Sequence, residues 1–162
     1  MLAAAVSSEK IFGIFLSLLE PLGDLVDVVL ESSHESVGDY HIDLRRGDID
    51  RSVLESTLYD YEELILNDGC LGIAVVANEQ PIEVQFDEHK LLFVYSSDLK
   101  PFRKILRSNG IVKNQSMSLI AESEHIHYSK PSFYDKFKQL SCQIGAEDFD
   151  SVLSDENGWL GC

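Results

Sequence analysis

The chain has 162 residues, enough for one domain around a single core, and its 44% hydrophobic and 25% charged residues are those of an ordinary globular protein, neither disordered nor membrane-embedded. A formal net charge of -15 repels nucleic-acid phosphate and anionic membrane at long range, so neither is expected as a partner. Cys70, Cys142 and Cys162 are odd in number and form no CxxC pair, which argues against a disulfide framework or a zinc ribbon and predicts reduced thiols in a cytoplasmic setting.

Ser7 or Ser8 can cap a first helix in which Ile11, Ile14, Phe15, Leu18, Leu19 and Leu22 recur on one face, widened by Phe12 and Leu16. A stripe this wide is expected to lie on a sheet, or else on a second copy of the helix. The apolar run Ile11–Leu19 lacks a basic leader and runs into Glu20-Pro21 instead of a cleavage site, so no signal peptide is predicted. Acidic and basic residues interrupt every twenty-residue window around it, which rules out a membrane span there. Pro21 and Gly23 should end the helix.

LVDVVLE, Leu25 to Glu31, fits a helical face as well as a strand; its β-branched run decides for strand. The polar segment SSHESVGDY reads as a loop, followed by a short edge strand in which Tyr40, Ile42 and Leu44 alternate with His41, Asp43 and Arg45. Asp48 or Asp50 then caps a second helix carrying Val53, Leu54, Leu58, Tyr61, Leu64 and Ile65, with Asn67-Asp68-Gly69 closing it on a left-handed glycine.

The centre of the chain is its clearest stretch. LGIAVVA, IEVQF and LLFVY are separated only by NEQP and DEHK, which predicts a three-stranded antiparallel meander over 71–95. The flanking runs are almost wholly apolar and are expected to need covering by helices on their outer faces. Ser97 or Asp98 caps a third helix with Leu99, Phe102 and Leu106 inward, ending at Asn109-Gly110. Met117–Tyr128 is read as a further strand. Ser132 and Asp135 form a capping-box pattern ahead of Phe133, Phe137, Leu140 and Ile144, and Gly145 stops that fourth helix. The acidic tail, 146–162, is read as a short docking helix or a free arm.

This order predicts a single α+β domain over 1–162, with a mostly antiparallel sheet built on the central meander and amphipathic helices packed on it. It resembles the two-layer ferredoxin-like sandwiches at the level of fold alone, which implies no function.

Two constellations stand out. Between residues 90 and 138 nine basic residues face four acidic ones, a local +5 that leaves -20 for the remainder. Within the third helix Lys100, Arg103, Lys104 and Arg107 fall at i, i+3, i+4 and i+7 and share one face, suited to an anion or an acidic protein segment, and otherwise an ordinary solvated helix face. Acidic surface on a second copy could satisfy the same stripe, so homo-oligomerisation is expected. The second constellation is histidine. His125 and His127 point the same way on a strand, while His34 and His41 lie near Glu35, Asp39 and Asp43; two imidazoles and a carboxylate could hold a divalent metal, the only cofactor the residues suggest. HxH alone is a weak signal, and nothing in the spacing brings the two pairs together.

Other groups read as structural. Asp87-Glu88-His89 doubles as a tight turn, Asp60, Glu62 and Glu63 as a wet helix face, and Cys70 follows a helix C-terminus that would raise its thiol pKa. There is no Gly-rich phosphate loop and no GxSxG elbow. The residues favour a non-enzymatic binding or regulatory module whose partner is a protein or small anion. A small metal-assisted hydrolase using His125, His127 and a carboxylate, or a neutralising partner of a basic protein, are the alternatives.

Overall fold

The computed structural model describes residues 1–34, 42–114, 116 and 126–148. The central meander forms as the sequence dictates: β4 (Leu71–Ala77), β5 (Glu83–Phe86) and β6 (Leu91–Tyr95) pair antiparallel in register Ile73 with Phe86 and Val84 with Val94. Around it are β1 (Leu2–Ala5), β2 (Leu25–Ser32), β3 (Ile42–Asp50) and β7 (Glu147–Asp148), giving a seven-stranded sheet in the order β1-β6-β5-β4-β2-β3-β7. Every one of its ladders among the described residues is antiparallel, and the two-layer α+β class holds.

The strand preference of LVDVVLE is realised. In β2 Val26, Val28, Leu30 and Ser32 are buried in alternation with their neighbours, the period of a half-buried strand. Opposite Asp27, Gly47 and Asp48 together face a single residue, a bulge with Asp48 at φ 53°. Asp27 holds it, accepting from the Asp48 amide at 3.0 Å and from Arg45 at 2.6 Å. This bulge lets β3 run through RRGDID to Asp50, well beyond the expected short strand.

The helices are α1 (Ser8–Leu19), α2 (Arg51–Asp60), α3 (Glu62–Asn67), α4 (Lys100–Ser108) and α5 (Pro131–Ile144). Their buried residues, from Phe15 and Leu18 through Leu58, Leu64 and Phe102 to Phe137 and Leu140, form one cluster with the inward residues of β2, β4, β5 and β6. The helices therefore occupy one face, and α1 is packed on the sheet. Asp50 caps α2 through the Ser52 and Val53 amides. The expected single second helix breaks at Tyr61, whose φ/ψ of -114°/17° leaves the helical region.

Other sequence expectations fail locally. The opposite sheet face has no helical cover among the described residues: Gly72 and Ala74 keep β4 shallow there, and Glu31 lies across Gly72, where a Cβ would meet its Oε2 at 2.9 Å. Residues 126–130 carry no strand, and 117–125, the rest of the expected strand, lie outside the described residues, as do Tyr40 and the tail beyond Asp148. No capping box forms at α5, which starts on Pro131 at its first turn, while Asp135 pairs with Lys138 at 2.9 Å. Glu147 and Asp148 extend beside β3 instead of joining a helix. Among the described residues no helix is long and apolar enough to cross a membrane.

Candidate functional site

One end of the sheet gathers most of the chemistry-bearing side chains. The C-terminal end of β2 delivers Ser33 and His34, the turn between α3 and β4 delivers Asp68, Gly69 and Cys70, the β5–β6 turn delivers Asp87 to Lys90, and the segment before α5 delivers His127.

Asp68 is the anchor. It is fully buried, with Oδ1 accepting from the Cys70 amide at 3.1 Å and Oδ2 hydrogen-bonded to His34 Nε2 at 2.7 Å. The His34 ring, its side chain 7% exposed, lies tilted against α5 with its centroid 5.2 Å from that of Tyr134 and 6.0 Å from that of Phe137. A buried carboxylate needs such partners, because an unpaired one costs several kcal/mol. Among the described residues no buried side-chain polar atom lacks a partner, so the His34–Asp68 pair also serves as internal bracing for the turn.

Gly69 sits at the middle of that turn for a reason the sequence hides. Its φ is not left-handed; instead its amide donates to the Tyr128 carbonyl at 3.0 Å, and a Cβ there would meet that oxygen at 2.8 Å. The close approach lays residues 127–128 over the turn, and the Gly69 carbonyl accepts from His127 Nδ1 at 2.7 Å. His127 Nδ1 also lies 3.5 Å from Glu88 Oε2, and its ring centroid is 5.0 Å from that of His89. His89 is held in turn by Asp87, which accepts from its Nδ1 at 2.5 Å and from its amide. Ser33 Oγ donates to Glu88 at 3.3 Å and ties this group to the β2 end.

Both histidines thus give their Nδ1 proton to an oxygen, which assigns Nε2 as the lone-pair nitrogen of the neutral ring. A carbonyl or carboxylate behind the far nitrogen is the usual support of a metal-ligating imidazole. Ligand atoms of Glu88, His89 and His127 lie within 4.8 Å of one another, and so do those of His34, Asp68 and Cys70. The second trio is less suited to an ion, since both Asp68 oxygens are engaged and burial pushes the Cys70 thiol up, away from the thiolate a metal requires.

Lys90 completes the site. It stands at φ 61°, a conformation that turns normally give to glycine or asparagine, and the fold holds it there while its ammonium donates to the Leu71 carbonyl at 3.3 Å and lies 5.4 Å from the Phe86 ring centroid. Burial lowers its pKa to about 8, against the opposing pull of Asp68, Asp87 and Glu88. Nearby, burial also raises the Glu31 pKa, helped by Asp43, Glu83, Asp87 and Glu88.

Of the residues singled out in the sequence, the structure brings His34 and His127 to the Asp68–Cys70 turn, the first bonded to Asp68 and the second to the Gly69 carbonyl; His41 and His125 lie outside the described residues. Nothing in the sequence marks Asp68 or Lys90 as a site residue, and Glu88 and His89 read there as parts of a tight turn. The usable signal was DEHK itself, a tight turn with no glycine or asparagine. Glu63 is a surface residue, bonded to Lys136 of α5 at 2.5 Å. Lys100, Arg103, Lys104 and Arg107 lie elsewhere, exposed along α4 around a shallow concavity, and make no ion pair among the described residues. Compared with protein families, curated proteins and solved structures, the chain matches none.

Proposed function

We propose that the chain is a binding module whose working site is this end of the sheet and whose ligand is a divalent transition metal held by Glu88, His89 and His127. The observation that carries the reading is the pair of imidazoles from two separate segments, each fixed through Nδ1, whose rings meet edge-on at 5.0 Å with Glu88 beside them. Two nitrogens and a carboxylate suit zinc and its neighbours in the first transition row better than magnesium or calcium, which prefer oxygen alone.

Metal-free protein titrated with zinc chloride should bind one equivalent, and His89→Ala and His127→Ala should each weaken binding at least tenfold. Binding only the folded form also raises the melting temperature, by the equivalent of about 2.7 kcal/mol at a hundredfold excess over Kd. If neither zinc, manganese, iron(II) nor cobalt(II) binds or shifts melting, the reading is wrong. A second reading, metal-assisted hydrolysis, is favoured by the donor number: three protein ligands leave a coordination position for water. Turnover of p-nitrophenyl acetate or phosphate by the zinc-loaded protein, lost in His127→Ala, would select it over simple binding.

A further inference from the structure

Among the described residues the sheet has an unpaired edge at β1. Among those residues the strand pairs with β6 alone, in register Leu2 with Val94 and Ala5 with Leu91, and it ends the strand order. Such an edge presents a row of unmatched backbone donors and acceptors, and proteins ordinarily block theirs with charge, proline or a bulge on the strand itself. Here Leu2–Ala5 is LAAA, with none of these.

Beside this edge runs a groove of about 520 Å³, walled by β1 on one side and by Arg103, Leu106 and Arg107 of α4 on the other, and closed by Ile111 and Lys113. Its floor is apolar and its rim cationic. Arg103, Arg107 and Lys113 make no ion pair among the described residues, although the chain carries 28 acidic residues against 13 basic ones. Surface ion pairs form readily where acids are in excess, so the segregation of these cations around an open strand edge is the feature to explain.

We infer that the β1 edge and the cationic rim of α4 together receive an extended acidic segment of a partner protein, which adds to the sheet as an eighth strand. Backbone pairing to β1 supplies the seat, the side chains of the added strand that turn to the helical face carry the carboxylates that meet Arg103, Arg107 and Lys113, and the alternate apolar ones lie on the opposite face of the sheet. A second copy of this chain is the poorer occupant in two-fold symmetry, because an isologous β1–β1 contact would set the two sets of cations against each other. This inference is independent of the metal reading.

The test uses a fluorescein-labelled peptide alternating glutamate and valine, followed by anisotropy on the full chain. Two further versions carry N-methyl groups at either the odd or the even residues, so that each lacks the amide donors of one edge. Strand addition predicts that one N-methylated peptide loses at least tenfold in affinity while the other binds as the parent does. Arg103→Glu/Arg107→Glu should lose at least tenfold too, with circular dichroism and melting unchanged because both side chains are exposed. Equal binding of the two N-methylated peptides, equal binding of an all-glutamate peptide, no binding of the parent, or a two-fold dimer by light scattering that survives the double charge reversal would each overturn the inference.

Discussion

Gly69→Ala isolates what the sheet-end site depends on. Ordinarily a Gly→Ala change at an unstrained backbone stabilises by about 0.4–1 kcal/mol, because the unfolded chain loses freedom. Gly69 is not in the left-handed region, so backbone conformation alone would permit that gain. Contact decides otherwise: the new methyl would stand 2.8 Å from the Tyr128 carbonyl oxygen and 3.1 Å from its nitrogen, both backbone atoms with no flexible side chain to move aside. Overpacking of this kind costs about 1–3 kcal/mol. The net loss should therefore be about 1–2 kcal/mol, seen as a fall of about 2–8 °C in melting temperature. Relief comes by lifting residues 127–128 off the turn, which stretches the 2.7 Å bond from His127 Nδ1 to the Gly69 carbonyl. Losing that support should weaken zinc about 10–100-fold in calorimetric titration, although no ligand has been removed. A Gly69→Ala protein that melts with the wild type and binds zinc equally would refute the reasoning at its root, since residues 127–128 would then not be held by this turn.

Two further predictions concern protons, measured on metal-free protein by thermal melting across pH. Lys90 has a folded pKa of about 8 against an ordinary 10.5. The penalty for burying its ammonium is full below about pH 8 and is relieved as pH rises toward 10.5, amounting to about 3 kcal/mol at about 1.4 kcal/mol per unit. Stability of the wild type relative to Lys90→Met should therefore rise by up to that amount between pH 8 and 10.5; a constant difference would contradict it. Glu31 is shifted the other way, upward from 4.5, by burial and by its carboxylate neighbours. Its contribution is intact below pH 4.5 and is lost as pH climbs through the raised value, so Glu31→Gln should melt above the wild type at pH 7 and level with it near pH 4.

The fold was legible where period and punctuation agree. Three apolar runs separated by NEQP and DEHK admit few readings other than a meander, and the face of α1 carrying Ile11, Ile14, Phe15 and Leu18 admits few other than a buried helix. β1 was not legible, because three alanines in four residues carry neither strand propensity nor alternation and pair only because β6 offers an edge. The length of β3 was hidden too: RRGDID looks like an ending, and becomes strand only because Asp27 across the ladder ties down the bulge.

The site fared differently, and for a physical reason. Its side chains come from four segments far apart in sequence, so no spacing rule joins them. Each also has a sufficient local explanation, and Asp87, Glu88 and His89 are what a tight turn wants whether or not anything binds there. What separates the two explanations is Lys90. A turn selected only for its geometry would place glycine or asparagine at φ 61°, whereas here a lysine occupies that strained backbone and its ammonium is withdrawn from water among Asp68, Asp87 and Glu88. Backbone strain of about 1–3 kcal/mol and a desolvated cation both oppose folding at the same residue. Local rules are broken together in this way mainly where a site needs the side chain, so the β5–β6 turn is better understood as part of the site than as a connection between strands.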